Sequence, residues 1–247
     1  KLFHFNMQPK ILSFFKEHWF WPATAILLVL MASVQVTSSL QENQTCDEGA
    51  HLVSGYSFWV KGDYRLSPEH PPLARLLAAL PLLALRPAFP EIPELWNRAD
   101  ACLLGREFFY RNHIAPETLL LAGRSIIIAM TVALGLLLAL WMRKEFSSAA
   151  AVFALALCAF DPNILAHGRY ITTDLPVTLF FFASCLSWHD YLASPRRWPL
   201  YRTGLLVALA LATKFNALLL IPAFALLYLT RRVKLMPRHA LLALPAV

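Results

Sequence analysis

From Phe20 to Leu40 the chain runs without a single ionisable side chain, and from Leu119 to Met142 it does so again except for Arg124. A helix rises about 1.5 Å per residue and a bilayer core is about 30 Å thick, so about 20 apolar residues make one crossing. In lipid each backbone N–H and C=O must find its partner inside the protein, which a helix achieves within one segment. The rest of the composition agrees, at 58% hydrophobic and 15% charged, where a soluble domain carries about 25% charged residues. Apolar blocks of this length exclude a soluble enzyme, a disordered chain and a nucleic-acid-binding domain. The expected fold is all-α, a polytopic transmembrane helical bundle.

Leu175 to Trp188, running on to Leu192, supplies a third apolar core. Ser147–Phe160, Leu200–Ala212 and Phe215–Leu229 are short for a span, at the length expected of tilted or partly buried helices. Charge decides their reading. With six spans, residues 1–19, Arg143-Lys144, Arg196 to Arg202 and Arg231 to Arg238 share one side and hold 12 of the 22 basic residues. The positive-inside rule then makes that side, with the N-terminus, cytoplasmic. Merging Leu200–Leu229 into one helix would send Arg196-Arg197 and Arg231-Arg232 to opposite faces, so two short spans are expected.

The expected layout is a cytoplasmic segment 1–19, a first span 20–40, an extracytoplasmic loop 41–118, and five spans with short loops over 119–230. A cytoplasmic segment 231–247 follows, ending in the start of a further span at Ala240–Val247. That incomplete run, with Lys1 in place of an initiator Met, leads us to expect an N-terminal part of a longer protein. Loop 41–118 holds ten of the fifteen acids and seven bases, a net of −3 where the rest of the chain is +10. Loops this long are usually functional. Within it, Pro71 to Leu85 is expected as a short apolar helix on the membrane surface. Cys46 and Cys102 also fall there, where an oxidising compartment permits a disulfide, whereas Cys158 and Cys185 fall in apolar spans as packing residues.

Ionisable groups at membrane depth cost about 2.5–3.5 kcal/mol each, so they call for a reason. Arg124, Arg169 and Lys214 map to the outer ends of helices, together with Asp161, His167 and Asp174. These positions converge on one layer beneath the loop that carries Asp47, Glu48, Glu69, His70 and Arg75, which predicts a mixed-charge pocket at the outer boundary. The acidic pair Asp47-Glu48 suits proton abstraction from an acceptor hydroxyl, or an ordinary polar helix exit. Glu69-His70-Pro71-Pro72-Leu73-Ala74-Arg75 starts a helix with prolines and places Arg75 where it could reach a phosphate, or merely snorkel. In Asp161 to Asp174, Thr172 or Thr173 can cap the next helix with Asp174 in its first turn, which accounts for neither His167 nor Arg169. Lys214 interrupts two apolar runs and acts either as a snorkelling Lys or as a point charge for a lipid phosphate. His189-Asp190 is expected to be structural.

Together, an acidic pair after the first span, a His-Pro-Pro-x-x-Arg segment and an outer Arg169-to-Asp174 stretch resemble the GT-C membrane glycosyltransferases. The nearest likeness is to the protein O-mannosyltransferase and lipid A aminoarabinose transferase group, the glycosyltransferase family 39-like proteins of bacteria. The resemblance implies a multi-pass protein of the bacterial inner (plasma) membrane that transfers a hexosyl or pentosyl group from a polyprenyl-phosphate sugar donor to a protein or glycolipid acceptor. By it, Asp47 is the catalytic acid of the first loop and Glu48 its partner, Asp174 is the second acidic position, and Arg75 is a donor-phosphate ligand. Arg169 and Lys214 join Arg75 as cations for the leaving phosphate, with Glu69, His70, His167 and Arg124 in support. His70, His167, Asp47, Glu69 and Asp174 offer ligand atoms for a divalent metal ion, but no spacing forms a compact metal motif and the metal is left unassigned. Besides the donor, the expected partners are membrane lipids, with no nucleic acid. The competing readings are a lipid-linked sugar transporter or flippase and a non-catalytic scaffold. Transporters tend to place charges near the midplane of repeated halves, and here they gather at one face with no repeat.

Overall fold

The computed structural model describes residues 18–231. The basic residues Lys1, Lys10, Lys16, Arg232, Lys234 and Arg238 and the run Ala240–Val247 lie outside the described residues. Among the described residues there are twelve α-helices, one 3-10 turn and no strand. They are α1 (Phe20–Ser39), α2 (Cys46–Lys61), α3 (Leu73–Ala78), α4 (Leu82–Leu85), α5 (Pro93–Asn97) and α6 (Ala101–Tyr110), then α7 (Pro116–Glu145), α8 (Ser148–Ala159) and α9 (Pro162–His167). Next come α10 (Asp174–Ala193), α11 (Arg197–Leu211), the 3-10 turn (Phe215–Leu219) and α12 (Leu220–Arg231).

By length and apolarity α1 and α7 can each cross a membrane. Helix α1 buries Phe20, Thr24, Met31, Gln35 and Ser39 along one stripe, while Ile26, Val29, Leu30 and Val34 stay exposed. Helix α7 starts on Pro116, whose missing N–H costs nothing in a first turn, and ends on Arg143 and Lys144, which oppose the negative end of its dipole. Helix α10 equals α1 at 20 residues but carries Ser184, Ser187, His189 and Asp190. Helices α8, α11 and α12 are shorter, so of the six expected spans α1 and α7 have the length and apolarity of a crossing. Yet the short helices also expose large apolar side chains, among them Phe153, Leu157, Leu205, Ile221 and Leu226. A water-facing surface seldom carries so much apolar area, whereas lipid accepts it.

The expected turn-back near Lys214 is present. Tyr191 and Leu192 of α10 pack with Leu200 of α11 and with Leu227 and Tyr228 of α12, while Ala210, Ala217 and Leu220 pack together at the other end. Helices α11 and α12 are therefore antiparallel. Asp190 joins the basic ends, accepting from Lys144 Nζ at 2.6 Å and Arg202 Nη2 at 2.6 Å, the structural use expected for it.

Residues 41–118 hold the five helices α2–α6 and pack against α7. The principal core lies between this segment and α7: Leu52, Val53 and Tyr56 of α2 pack with Leu104, Phe108 and Phe109 of α6, and with Leu119, Ile127 and Met130 of α7. Pro71–Leu85, expected as one surface helix, is two helices separated at Pro81, and Ala74, Ala78, Ala79 and Leu82 are buried. One face meets α2, where Gly55 lies against Arg75 and Ala79, while Leu80, Leu83 and Leu85 stay exposed. Helices α2 and α6 cross where Gly49 meets Gly105, so closely that a Cβ on Gly105 would overlap the Gly49 carbonyl and lie 2.9 Å from Ala50 N. Gly105→Ala should therefore destabilise the protein by about 1–3 kcal/mol through overpacking. A lowered unfolding temperature in detergent checks this, and an unchanged one would mean the crossing is not as tight as described.

Candidate functional site

Helix α2 positions the acidic pair. Thr45 and Glu48 form a capping box, with Thr45 N–H donating to Glu48 Oε2 at 2.8 Å. This pairing satisfies two N-terminal donors at once and turns the neighbouring Asp47 outward. Glu48 is fully buried, and Arg124 of α7, equally buried, binds it through Nε to Oε1 at 2.8 Å and Nη2 to Oε2 at 2.7 Å. Arg124 also donates to the carbonyls of Ser39, Glu42 and Asn43, so it ties off the end of α1 and the following turn. Burial pushes the Glu48 carboxyl up, but Arg124 and the N–H groups of Thr45 and Ile171 outweigh it and hold Glu48 below the ordinary carboxylate value. Both Glu48 oxygens are thus occupied inside the protein.

Asp47 is exposed, and among the described residues no cation pairs with it. It lines a pocket of about 370 Å³ with Ala50, His51, Ser67, Glu69, Asp100 and Cys102. His51, which the sequence reading did not single out, is one helical turn beyond Asp47 and only 9% exposed. Its Nδ1 lies 2.9 Å from Ile171 O. The carbonyl can only accept, so Nδ1 carries the proton and Nε2 the lone pair. Burial lowers the His51 pKa from 6.5; the Ile171 carbonyl and Asp47 act to raise it, and Arg75 and His70 to lower it further. The signal available beforehand was the spacing, since residues at i and i+4 share a helix face.

Arg75 is 1% exposed, not at the surface. Its Nη1 donates to Ser67 O at 2.5 Å, its Nη2 to His70 O, and its guanidinium lies 5.6 Å from the Phe58 ring. Glu69 approaches it at 3.9 Å. Only Nε remains, buried and without a protein acceptor. Arg75 thereby folds the 67–70 segment over the pocket. His70 is half-buried beside it.

Arg169 is bound by Glu42, Nη2 to Oε1 at 2.7 Å and Nε to Oε2 at 3.2 Å. The guanidiniums of Arg124 and Arg169 lie 5.4 and 4.8 Å from the Tyr170 ring. His167 is exposed at the end of α9 and does not line the pocket. Asp174 opens α10 as expected, but the N-cap Thr173 makes no side-chain capping bond and Thr172 Oγ1 is buried without a partner. Asp174 Oδ1 instead accepts from Lys214 Nζ at 2.5 Å. The Lys214 bend reaches the pocket segment through Leu73 N–H, which donates to Ala212 O at 3.0 Å.

Of the residues expected in one layer, Arg124 is bound to Glu48, Arg169 to Glu42 and Lys214 to Asp174, while Asp47 and Glu69 line the pocket and His167 does not, so most of the cations hold protein. Among the described residues, the three ligand-type groups that come within 4.8 Å of one another are Glu145, His189 and Asp190. They lie at the far end of α7, about 30 Å from Arg124 at 1.5 Å per residue, and Lys144 already contacts Glu145 and Asp190. Asp47, Glu69, His70, His167 and Asp174 form no such group. Cys46 and Cys102 are exposed free thiols near the starts of α2 and α6. Burial, followed by the charges of Cys46, Asp100, Asp47 and Glu69, raises the Cys102 pKa.

The family model described as dolichyl-phosphate-mannose-protein mannosyltransferase matches residues 117–247, more than half of the chain. It includes Arg124, His167, Arg169, Asp174 and Lys214 and begins after Asp47, Glu48, Glu69, His70 and Arg75. No curated protein and no solved structure matches the chain.

Proposed function

Because the chain belongs to the dolichyl-phosphate-mannose-protein mannosyltransferase family, and so to the membrane glycosyltransferases, we propose that it moves a sugar from a polyprenyl-phosphate-linked donor to a hydroxyl of an extracytoplasmic protein or glycolipid. The observation that carries this reading is Asp47, an exposed carboxylate that no cation pairs with among the described residues, in a pocket shared with His51 and Glu69. A donor whose polyprenyl tail lies in the bilayer brings its phosphate to the membrane surface.

In this reading the acceptor oxygen attacks the anomeric carbon, the bond from that carbon to the phosphate oxygen breaks, and the polyprenyl phosphate leaves. Asp47 takes the acceptor proton. Lys214 is the first cation available to the leaving phosphate, because Arg75, Arg124 and Arg169 are engaged with protein. The side chain of its partner Asp174 is 52% exposed, so a phosphate can approach the pair from the open side and compete for the ammonium. Asp174 then serves to aim Lys214, and Arg75 and Arg169 set the shape of the layer and its positive potential.

The test uses membranes holding the full-length protein and a panel of radiolabelled polyprenyl-phosphate sugars. Consumption of one donor, with label appearing on a protein or glycolipid and absent with Asp47→Asn, is the expected result. Movement of intact donor across the membrane without bond cleavage would overturn the transferase reading in favour of transport.

A further inference from the structure

We propose that His51 is a second proton acceptor in the Asp47 pocket, its Nε2 receiving the proton that leaves the acceptor hydroxyl so that Asp47 returns to its carboxylate form. This rests on the transferase reading above and adds a residue to it. Three observations lead there.

First, His51 lines the same pocket as Asp47, one turn along the same helix. Second, its tautomer is set: Nδ1–H is held by Ile171 O at 2.9 Å, which leaves the Nε2 lone pair as the imidazole's proton-accepting atom. Third, the group that sets it is itself fixed. Ile171 N–H donates to Glu48 Oε1 at 3.0 Å, and Glu48 is clamped by Arg124. The Ile171 side chain meanwhile fills the space beside Gly123 of α7 and Leu52 of α2. Arg124, Glu48, Ile171 and His51 thus form one chain of contacts from the membrane helix to the pocket wall. Such a chain is needed to hold a proton acceptor in one orientation, and it exceeds what packing a histidine would require.

The charged and titratable groups around His51 are Asp47 on its own helix, Arg75 on α3, and His70 on the segment before it, with Glu69, Asp100 and Cys102 also on the pocket wall. The proton balance is simple. The acceptor O–H bond breaks as the new bond from oxygen to the anomeric carbon forms. Its proton passes to Asp47, then to His51 Nε2, and then to water. Burial keeps His51 below the 6.5 of a free imidazole, so it is neutral and able to accept at pH 7. On acidification through its lowered pKa it becomes charged and can no longer accept.

The experiment measures transfer by the full-length protein in membranes between pH 5 and 8, for wild type and for His51→Asn and His51→Gln. Asn retains an amide donor near the Nδ1 position, preserving the bond to Ile171 O, but removes Nε2. The expected result is a wild-type acid limb with an apparent pKa below 6.5. His51→Asn should show turnover lowered by about 10²-fold or more, an acid limb moved towards the carboxylate range, and little change in KM. Wild-type rate and pH profile in His51→Asn would overturn the proposal, since they would leave the residue a packing role only. A wild-type acid limb centred above 6.5 would overturn it too, even if neither variant folds. If wild type consumes no donor at all, the transferase reading itself has failed, which is a separable outcome.

Discussion

Replacing Asp47 by Asn should lower sugar transfer by about 10²–10⁴-fold, the range lost when a positioned proton acceptor is removed. The amide has nearly the same shape and cannot accept the proton. Stability should change little: Asp47 is exposed, and the charge it presents to the start of α2 is worth only about 0.3–1 kcal/mol as a dipole interaction. Donor binding should persist, because the cations assigned to the phosphate are untouched. The measurement is single-turnover label transfer beside a donor-binding assay and a melting curve. Normal turnover in this variant would sink the assignment of Asp47. Glu48→Gln offers the contrast, since its oxygens already accept from Arg124, Thr45 and Ile171 and any loss there should accompany a loss of stability.

Arg124→Met should give the largest loss of stability, about 3–5 kcal/mol, because it leaves the Glu48 carboxylate buried without its counter-ion. Both side chains are fully enclosed, so water cannot replace the guanidinium, and the carbonyls of Ser39, Glu42 and Asn43 lose a donor in the same step. The double variant Arg124→Met/Glu48→Gln removes the stranded charge and should be less destabilised than the sum of the two single changes. Thermal unfolding in detergent reads both. A single variant that melts with the wild type would show the pair to be dispensable. A surviving fraction of folded single variant should also transfer sugar poorly, since Glu48 no longer fixes Ile171 and, through it, His51.

Arg124 also marks the limit of what a linear reading can see. Its cost in an apolar helix was plain from its neighbours. Its partner was not, because Glu48 is 76 residues away and was assigned to catalysis beside Asp47. The two acids are adjacent in the chain, yet a capping box turns Glu48 inward and leaves Asp47 facing the pocket. Arg75 differs for a similar reason. The prolines before it correctly mark a helix start, but whether that helix rests on lipid or on α2 depends on Gly55, whose missing side chain lets the Arg75 carbonyl approach. His51 went unnoticed because a histidine within an apolar stretch looks like any core residue until the carbonyl of Ile171 is placed against it.

The order of apolar and charged segments by itself determined that this chain is helical and membrane-embedded and that it turns back near Lys214. Those properties follow from transfer free energies and backbone hydrogen bonding, which depend on local composition. The tertiary structure alone decided which of the collected charges face the pocket and which hold the protein together. That division depends on contacts between helices far apart in the chain, where a close glycine crossing or a buried ion pair sets the direction of each side chain.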